Sequence, residues 1–194
     1  MSRPQRTGLN SALKMIKFNV AAINCCTETE GPYKRLCIWF QGCDIHCKGC
    51  CNPDYQALVV RNLMTLDELV AVIEDAKEKY GIEGVTYSGG EPTLQQNLPE
   101  LTKAIHALGL GIISFTGYLY EQVRERLAGC DMVLDGAFDE SKAETNRRIL
   151  GSTNQRILCL TDRYESSVDW FLTPSAKNIE INVSGSIFAN GDKI

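Results

Sequence analysis

The sequence lacks several features that define large functional classes. No uninterrupted apolar run approaches the ~20 residues that a membrane helix needs, so we expect no membrane-spanning segment. The residues after Met1 are not followed by an apolar segment of the signal-peptide kind, and we therefore expect a cytoplasmic protein. The net charge of −4 argues against a dedicated nucleic-acid binder, which usually has a basic balance.

Several catalytic signatures are also missing. The sequence shows no Gly-x-Ser-x-Gly elbow, no Walker loop and no complete dinucleotide fingerprint. Only two histidines are present, which argues against a histidine-rich iron or zinc centre. The apolar and charged fractions, 44% and 23%, are those of an ordinary globular protein. A length of 194 residues predicts one domain over 1–194, with a flexible arm at 1–13 and a polar tail at 184–194.

Cysteine, in contrast, is abundant. There are nine cysteines, an odd number that is not preceded by a secretion signal, so a disulfide framework is not expected. Metal binding explains the group of four between Cys43 and Cys51 better. Scattered cysteines such as Cys25 and Cys26 are expected to act as small apolar side chains, and the sequence does not show whether these two lie near the site.

The compact cysteine group has the spacing C-x3-C-x2-C, formed by Cys43, Cys47 and Cys50. Thiolates select zinc, copper(I) or iron–sulfur clusters, and a four-iron cluster commonly takes four cysteines. Three thiolates on one loop would leave the fourth iron open to a ligand from solution. The alternative is a zinc site whose fourth ligand is Cys51, His46 or a distant cysteine. Because Cys51 directly follows Cys50, we favour an unligated position near the site for it.

A glycine-rich turn, residues 88–92 (Ser-Gly-Gly-Glu-Pro), follows a short apolar strand. Glycines allow a ligand to approach the backbone closely, Pro92 fixes the direction of the chain, and Glu91 offers a carboxylate. Further along the chain, Thr116 stands at the end of another predicted strand. It is expected either to contact a bound cofactor or simply to cap the turn, and the sequence does not choose between these roles.

Strands and helices alternate along the chain with short connections, which predicts an α/β fold with a mostly parallel sheet. Both chemical motifs begin where a strand ends, and sites in parallel α/β folds lie at that edge of the sheet. About six strand–helix repeats favour an open or partial barrel over a closed eight-stranded one. The expected elements include a first strand Met15–Ile23, a helix after Thr65 that ends near Gly81, helices Tyr118–Leu127 and Tyr164–Phe171, strand Arg156–Leu160 and a last strand Ile179–Val183.

Taken together, the two motifs resemble those of the radical S-adenosylmethionine superfamily. The resemblance implies a partial (β/α)6 barrel and a [4Fe–4S] cluster held by Cys43, Cys47 and Cys50. It also implies an S-adenosylmethionine pocket lined by Gly89, Gly90, Glu91 and Pro92. In that family the reduced cluster cleaves S-adenosylmethionine to methionine and a 5′-deoxyadenosyl radical, which takes hydrogen from a substrate.

Further stretches look like one subgroup, the activases of anaerobic (class III) ribonucleotide reductase. They are residues 31–35, 40–43, 116–118, 131–138 and 151–156. The resemblance implies installation of a glycyl radical on that reductase and an electron donor of the flavodoxin type. Two alternatives stay open: a radical enzyme acting on another protein, peptide or small metabolite, and a non-catalytic zinc or iron–sulfur module.

Overall fold

The computed structural model describes residues 16–174, 179–183 and 187–191. The predicted arm at 1–13 lies outside these described residues. Nine strands and four α-helices are found within them. The strands are β1 (Lys17–Thr27), β2 (Arg35–Phe40), β3 (Asn62–Thr65), β4 (Gly84–Gly89), β5 (Gly111–Thr116), β6 (Met132–Asp135), β7 (Arg156–Cys159), β8 (Ile179–Val183) and β9 (Ile187–Gly191). The helices are α1 (Leu66–Tyr80), α2 (Leu98–Ala107), α3 (Tyr120–Val123) and α4 (Val168–Leu172).

The main sheet has seven strands in the order β3-β1-β2-β4-β5-β6-β7. The four strands β2, β4, β5 and β6 are parallel neighbours, whereas β1, β3 and β7 pair antiparallel. The predicted α/β class is confirmed. In the described part of the chain the sheet has two edges, at β3 and β7, as a partial barrel requires.

Helix α1 begins and ends where the sequence predicts. The Thr65 hydroxyl accepts a hydrogen bond from the Glu68 backbone N–H (3.2 Å), and the Glu68 carboxylate accepts one from the Thr65 N–H (2.7 Å). This reciprocal capping box satisfies two backbone donors of the first turn. The helix ends at Gly81, whose φ of 64° is the left-handed conformation that glycine adopts without strain.

Helices α1 and α2 cover one face of the sheet. Leu36, Ile38 and Phe40 of β2 alternate with Cys37 and Trp39, so the two sets point to opposite faces. The first set belongs to a large buried cluster with side chains from α1 and α2. The other face carries the residues that line the cavity described below.

Several predicted elements differ from the structure. The first strand, expected over Met15–Ile23, runs over Lys17–Thr27. The helix expected over Tyr118–Leu127 is a single turn, Tyr120–Val123, because the segment has only one fully buried apolar side chain, Leu127, to anchor it. The helix expected at Tyr164–Phe171 is split into a 3-10 segment and the short α4.

The expected six repeats reduce to four parallel strands. Strand β7 turns back antiparallel to β6 because no crossover helix lies between them, and a parallel connection requires a crossover. Strand β8 pairs with β9 in a separate two-stranded sheet instead of extending the main one. Part of the expected polar tail at 184–194 is therefore strand β9.

Candidate active site

The two sequence motifs leave the sheet side by side. The cysteine loop follows β2 and the glycine-rich turn follows β4, and these strands are parallel neighbours with Phe40 opposite Gly89. Backbone hydrogen bonds continue beyond the strands, from Gly90 N–H to Phe40 O and from Glu91 N–H to Gly42 O, both 2.8 Å. The sheet register therefore positions both loops at the carboxyl edge of the sheet.

The cysteine loop lies so close to the glycine-rich turn that neither glycine of the turn can carry a Cβ atom. A Cβ atom on Gly90 would lie 2.2 Å from the Gly42 carbonyl oxygen and 2.7 Å from that of Tyr55. A Cβ on Gly89, whose φ is 107°, would lie 2.4 Å from the Phe40 nitrogen. From the sequence, these glycines are expected to let a ligand approach the backbone closely. The structure adds a second role, the close approach of one loop backbone to the other.

One cavity of about 660 Å³ connects the predicted site residues. Those that line it are Cys43, Cys47, Cys50, Gly89, Gly90, Glu91 and Thr116. Cys51 lines it as well, whereas Pro92 is buried at the start of a 3-10 turn and is not among the lining residues. Cys25 and Cys26 lie on β1 and are not part of the cavity lining.

The thiols of the cysteine loop differ in their surroundings. Cys43 is buried, Cys47 and Cys50 are half-buried, and Cys51 is exposed. Burial raises the pKa of the Cys43 thiol, and the backbone N–H groups of Ile45 and His46 oppose this rise by hydrogen bonding to the sulfur.

The donor set fits an iron–sulfur cluster. Three thiols of one loop border a shared cavity, and thiolates are the ligands that hold such clusters. Within residues 16–174, 179–183 and 187–191, no three His, Cys, Asp or Glu side chains converge on a point suited to a single metal ion. A cluster with several irons does not require that convergence, because each thiolate binds a separate iron.

Glu91 holds the base of the site together. Its carboxylate is almost fully buried and accepts hydrogen bonds from the Thr93 N–H (3.0 Å) and hydroxyl (2.6 Å), the Thr116 hydroxyl (2.9 Å) and the Gly117 N–H (2.9 Å). Burial raises the pKa of Glu91, and these four hydrogen bonds act in the opposite direction. The carboxylate thus ties the end of β5 to the glycine-rich turn.

Thr116 makes the turn-capping contact that the sequence suggests, and its contact with a bound cofactor stays a prediction. Its hydroxyl donates to Glu91 and accepts a hydrogen bond from the Tyr118 N–H at 3.2 Å. The residue also lines the cavity, so its side chain connects the turn after β5 to the wall of the site.

Asn52 is a site residue that sequence reasoning missed. Its backbone N–H points at the Cys50 sulfur (3.4 Å) and its side-chain amide donates to the Gly89 carbonyl (3.2 Å). A single residue therefore contacts both motifs. Its position directly after the cysteines is the one signal for this role in the sequence.

A further stretch of the cavity lining was also missed. Residues 144–151, called here the wall segment, line the cavity together with Phe138. The Glu144 carboxylate accepts hydrogen bonds from the Asn146 N–H (3.0 Å) and from the Arg147 guanidinium. Arg147 also donates to the carbonyl of Gln155 (2.8 Å), which holds the wall segment against the start of β7.

Comparison with known proteins identifies the family. The profile of the family described as "4Fe-4S single cluster domain" matches residues 29–158, which include every residue predicted to hold the cluster or its ligand. The chain belongs to this 4Fe-4S family. The predicted iron–sulfur family and its cluster are thereby confirmed.

Relatives within the curated proteins carry activase names. The anaerobic ribonucleoside-triphosphate reductase-activating protein of Enterobacteria phage T4 is 28% identical over 75% of this chain and 96% of its own length. The protein of the same name from Vibrio cholerae is 27% identical over 66% of this chain and 89% of its own. The pyruvate formate-lyase-activating enzyme of Clostridium pasteurianum is 32% identical over 62% of this chain, which spans about half (52%) of that enzyme. These names agree with the predicted activase subgroup.

In the described residues of this 4Fe-4S family member, no helix is both long and apolar enough to cross a membrane.

Proposed function

We propose that the chain is a radical S-adenosylmethionine activase that installs a glycyl radical on anaerobic ribonucleotide reductase. The observation that carries this proposal is that the cysteine loop and the Gly-Gly-Glu turn line one cavity at the ends of adjacent parallel strands. Two relatives match this chain over most of their own lengths, and the names of both refer to the activation of anaerobic ribonucleoside-triphosphate reductase.

The residues take distinct roles in this proposal. Cys43, Cys47 and Cys50 would hold the [4Fe–4S] cluster, and the backbone of Gly89 and Gly90 would border S-adenosylmethionine. When bound, the reduced cluster and S-adenosylmethionine supply a one-electron cleavage to methionine and a 5′-deoxyadenosyl radical, which removes a hydrogen atom from a glycine Cα. Glu91 acts as a positioning residue, because its carboxylate accepts hydrogen bonds from Thr93, Thr116 and Gly117 of the surrounding turns.

The protein surroundings must also keep water and other partners away from a radical. Phe115 and Phe138 add apolar surface to the cavity lining, which suits a site that must not quench a carbon radical. The electron would come from a flavodoxin-type protein in the cytoplasm, reaching the cluster through the half-exposed side of the cysteine loop.

The test is an anaerobic reconstitution with iron and sulfide, followed by mixing with anaerobic ribonucleotide reductase, dithionite and S-adenosylmethionine. We expect an electron paramagnetic resonance signal of a glycyl radical on the reductase. Cleavage of S-adenosylmethionine without that signal would favour a radical enzyme with another target. Absence of any cleavage by a fully loaded protein would favour a non-catalytic iron–sulfur module.

A further inference from the structure

The wall segment contains a strained residue. Three non-glycine residues in the described part of the chain have positive φ, and among them Ile149 (φ 54°) is β-branched. A side chain that branches at Cβ crowds the neighbouring carbonyl in this conformation, so isoleucine rarely adopts it. Such strain persists only where the surrounding structure enforces it, and it is concentrated at functional sites.

Contacts on both sides of Ile149 enforce the conformation. The Arg148 N–H donates to the Phe171 carbonyl (2.8 Å), and the Arg148 guanidinium lies 3.7 Å from the centre of the Trp170 ring. After Ile149, Leu150 is buried, and the Gly151 N–H donates to the Gln155 side chain (2.7 Å). The backbone is thus fixed before and after the strained residue.

Ile149 lies where a substrate can reach it. It lines the same cavity as the cluster cysteines, and it is half-buried, with part of its side chain against the small core cluster of Leu150 and Phe171. The wall segment therefore contributes an apolar side chain, held on a fixed backbone, to the cavity lining.

We propose that Ile149 is a specificity residue for the protein substrate and packs against the backbone segment whose glycine loses a hydrogen atom. This inference rests on the proposed function. A glycine segment has no side chain, so its backbone presents Cα–H groups directly to a neighbouring surface. A branched side chain with a fixed direction packs closely on such a surface and excludes segments that carry larger side chains.

The test compares three variants of the reconstituted full-length protein. Ile149→Val keeps the branched shape and the strain, Ile149→Asn relieves the strain and makes the group polar, and Ile149→Gly relieves the strain and removes the group. Glycyl-radical formation is measured by electron paramagnetic resonance at increasing concentrations of anaerobic ribonucleotide reductase. Thermal unfolding is recorded for each variant.

We expect the KM for the reductase to rise at least tenfold in Ile149→Asn and Ile149→Gly, with a Tm that is not lowered. Ile149→Val should keep both values near those of the parent protein. A KM that stays unchanged in all three variants would overturn the inference, and so would a Tm that falls in parallel with activity, because that result assigns Ile149 to packing. If the parent protein cleaves S-adenosylmethionine but forms no radical on the reductase, the proposed function fails instead, before any variant is compared.

Discussion

The contact between the two site loops can be tested with the substitution Gly90→Ala. The new Cβ would lie 2.2 Å from the Gly42 carbonyl oxygen, and ordinary contacts begin at 3.4 Å. The atoms that it meets belong to the backbone of Gly42 and Tyr55, so no side-chain rotation can relieve the overlap. The cysteine loop and the glycine-rich turn must therefore separate by more than 1 Å.

The expected cost follows from this displacement. Overpacking of a close contact lowers the free energy of unfolding by about 1–3 kcal/mol. A misplacement of about 1 Å in a site that positions reacting groups can slow a reaction by about 100-fold. We therefore expect the rate of 5′-deoxyadenosine formation by the anaerobically reconstituted protein to fall by about 100-fold, measured by chromatography with dithionite as reductant.

A matched control is Gly81→Ala at the end of α1. Gly81 has a φ of 64°, and a Cβ there would meet no atom within 4 Å, so the substitution adds backbone strain but no clash. It should cost about 1 kcal/mol of stability and leave the cleavage rate unchanged. A Gly90→Ala protein that retains the parent rate, or a Gly81→Ala protein that loses as much, would refute this explanation.

Three further predictions concern the cysteines and their supports. Cys47→Ser should greatly lower the amounts of iron and sulfide that the protein binds during reconstitution, whereas Cys51→Ser should leave both amounts near those of the parent protein. An equal loss in the two variants would contradict a cluster held by three cysteines. Glu91→Gln should lower the free energy of unfolding by about 2 kcal/mol, because the new amide group would place N–H donors against the N–H or O–H donors that now face one carboxylate oxygen. Urea denaturation measures the free energy of unfolding, and an unchanged denaturation midpoint would contradict this prediction. Asn52→Ala should lower the free energy of unfolding by about 1 kcal/mol and raise the KM for S-adenosylmethionine, because the hydrogen bond to the Gly89 carbonyl is lost. A KM equal to that of the parent protein would count against a role of this hydrogen bond in cofactor binding.

The sequence predicts features that depend on neighbouring residues more reliably than features that depend on distant ones. The capping box of Thr65 and the terminal Gly81 of α1 are local, and the structure shows both. The placement of both motifs at one sheet edge also follows from the strand–loop order, because parallel strands end on the same side. Their direct contact through Gly90 depends on the register between β2 and β4, which no local pattern reports.

The features that the sequence analysis missed or predicted differently also depend on residues that are distant in the sequence. Strand β7 has the apolar pattern of a parallel strand, but its direction depends on the loop before it, which contains no crossover helix. The hydrogen-bond partners of the Glu91 carboxylate, Thr93, Thr116 and Gly117, become visible only when the turns after two strands meet, and its place in an S-adenosylmethionine pocket stays a prediction. No role in the site was predicted for the wall segment, because nothing local in its sequence shows that it borders a cavity.

The central claim is that one cavity unites a cluster-bearing cysteine loop with an S-adenosylmethionine-binding turn. The most direct measurement is the yield of 5′-deoxyadenosine and methionine from the reconstituted, reduced protein in the absence of oxygen. We expect equal amounts of the two products and none from a Cys43→Ser protein. A parent protein that carries a complete [4Fe–4S] cluster and still leaves S-adenosylmethionine intact would contradict it.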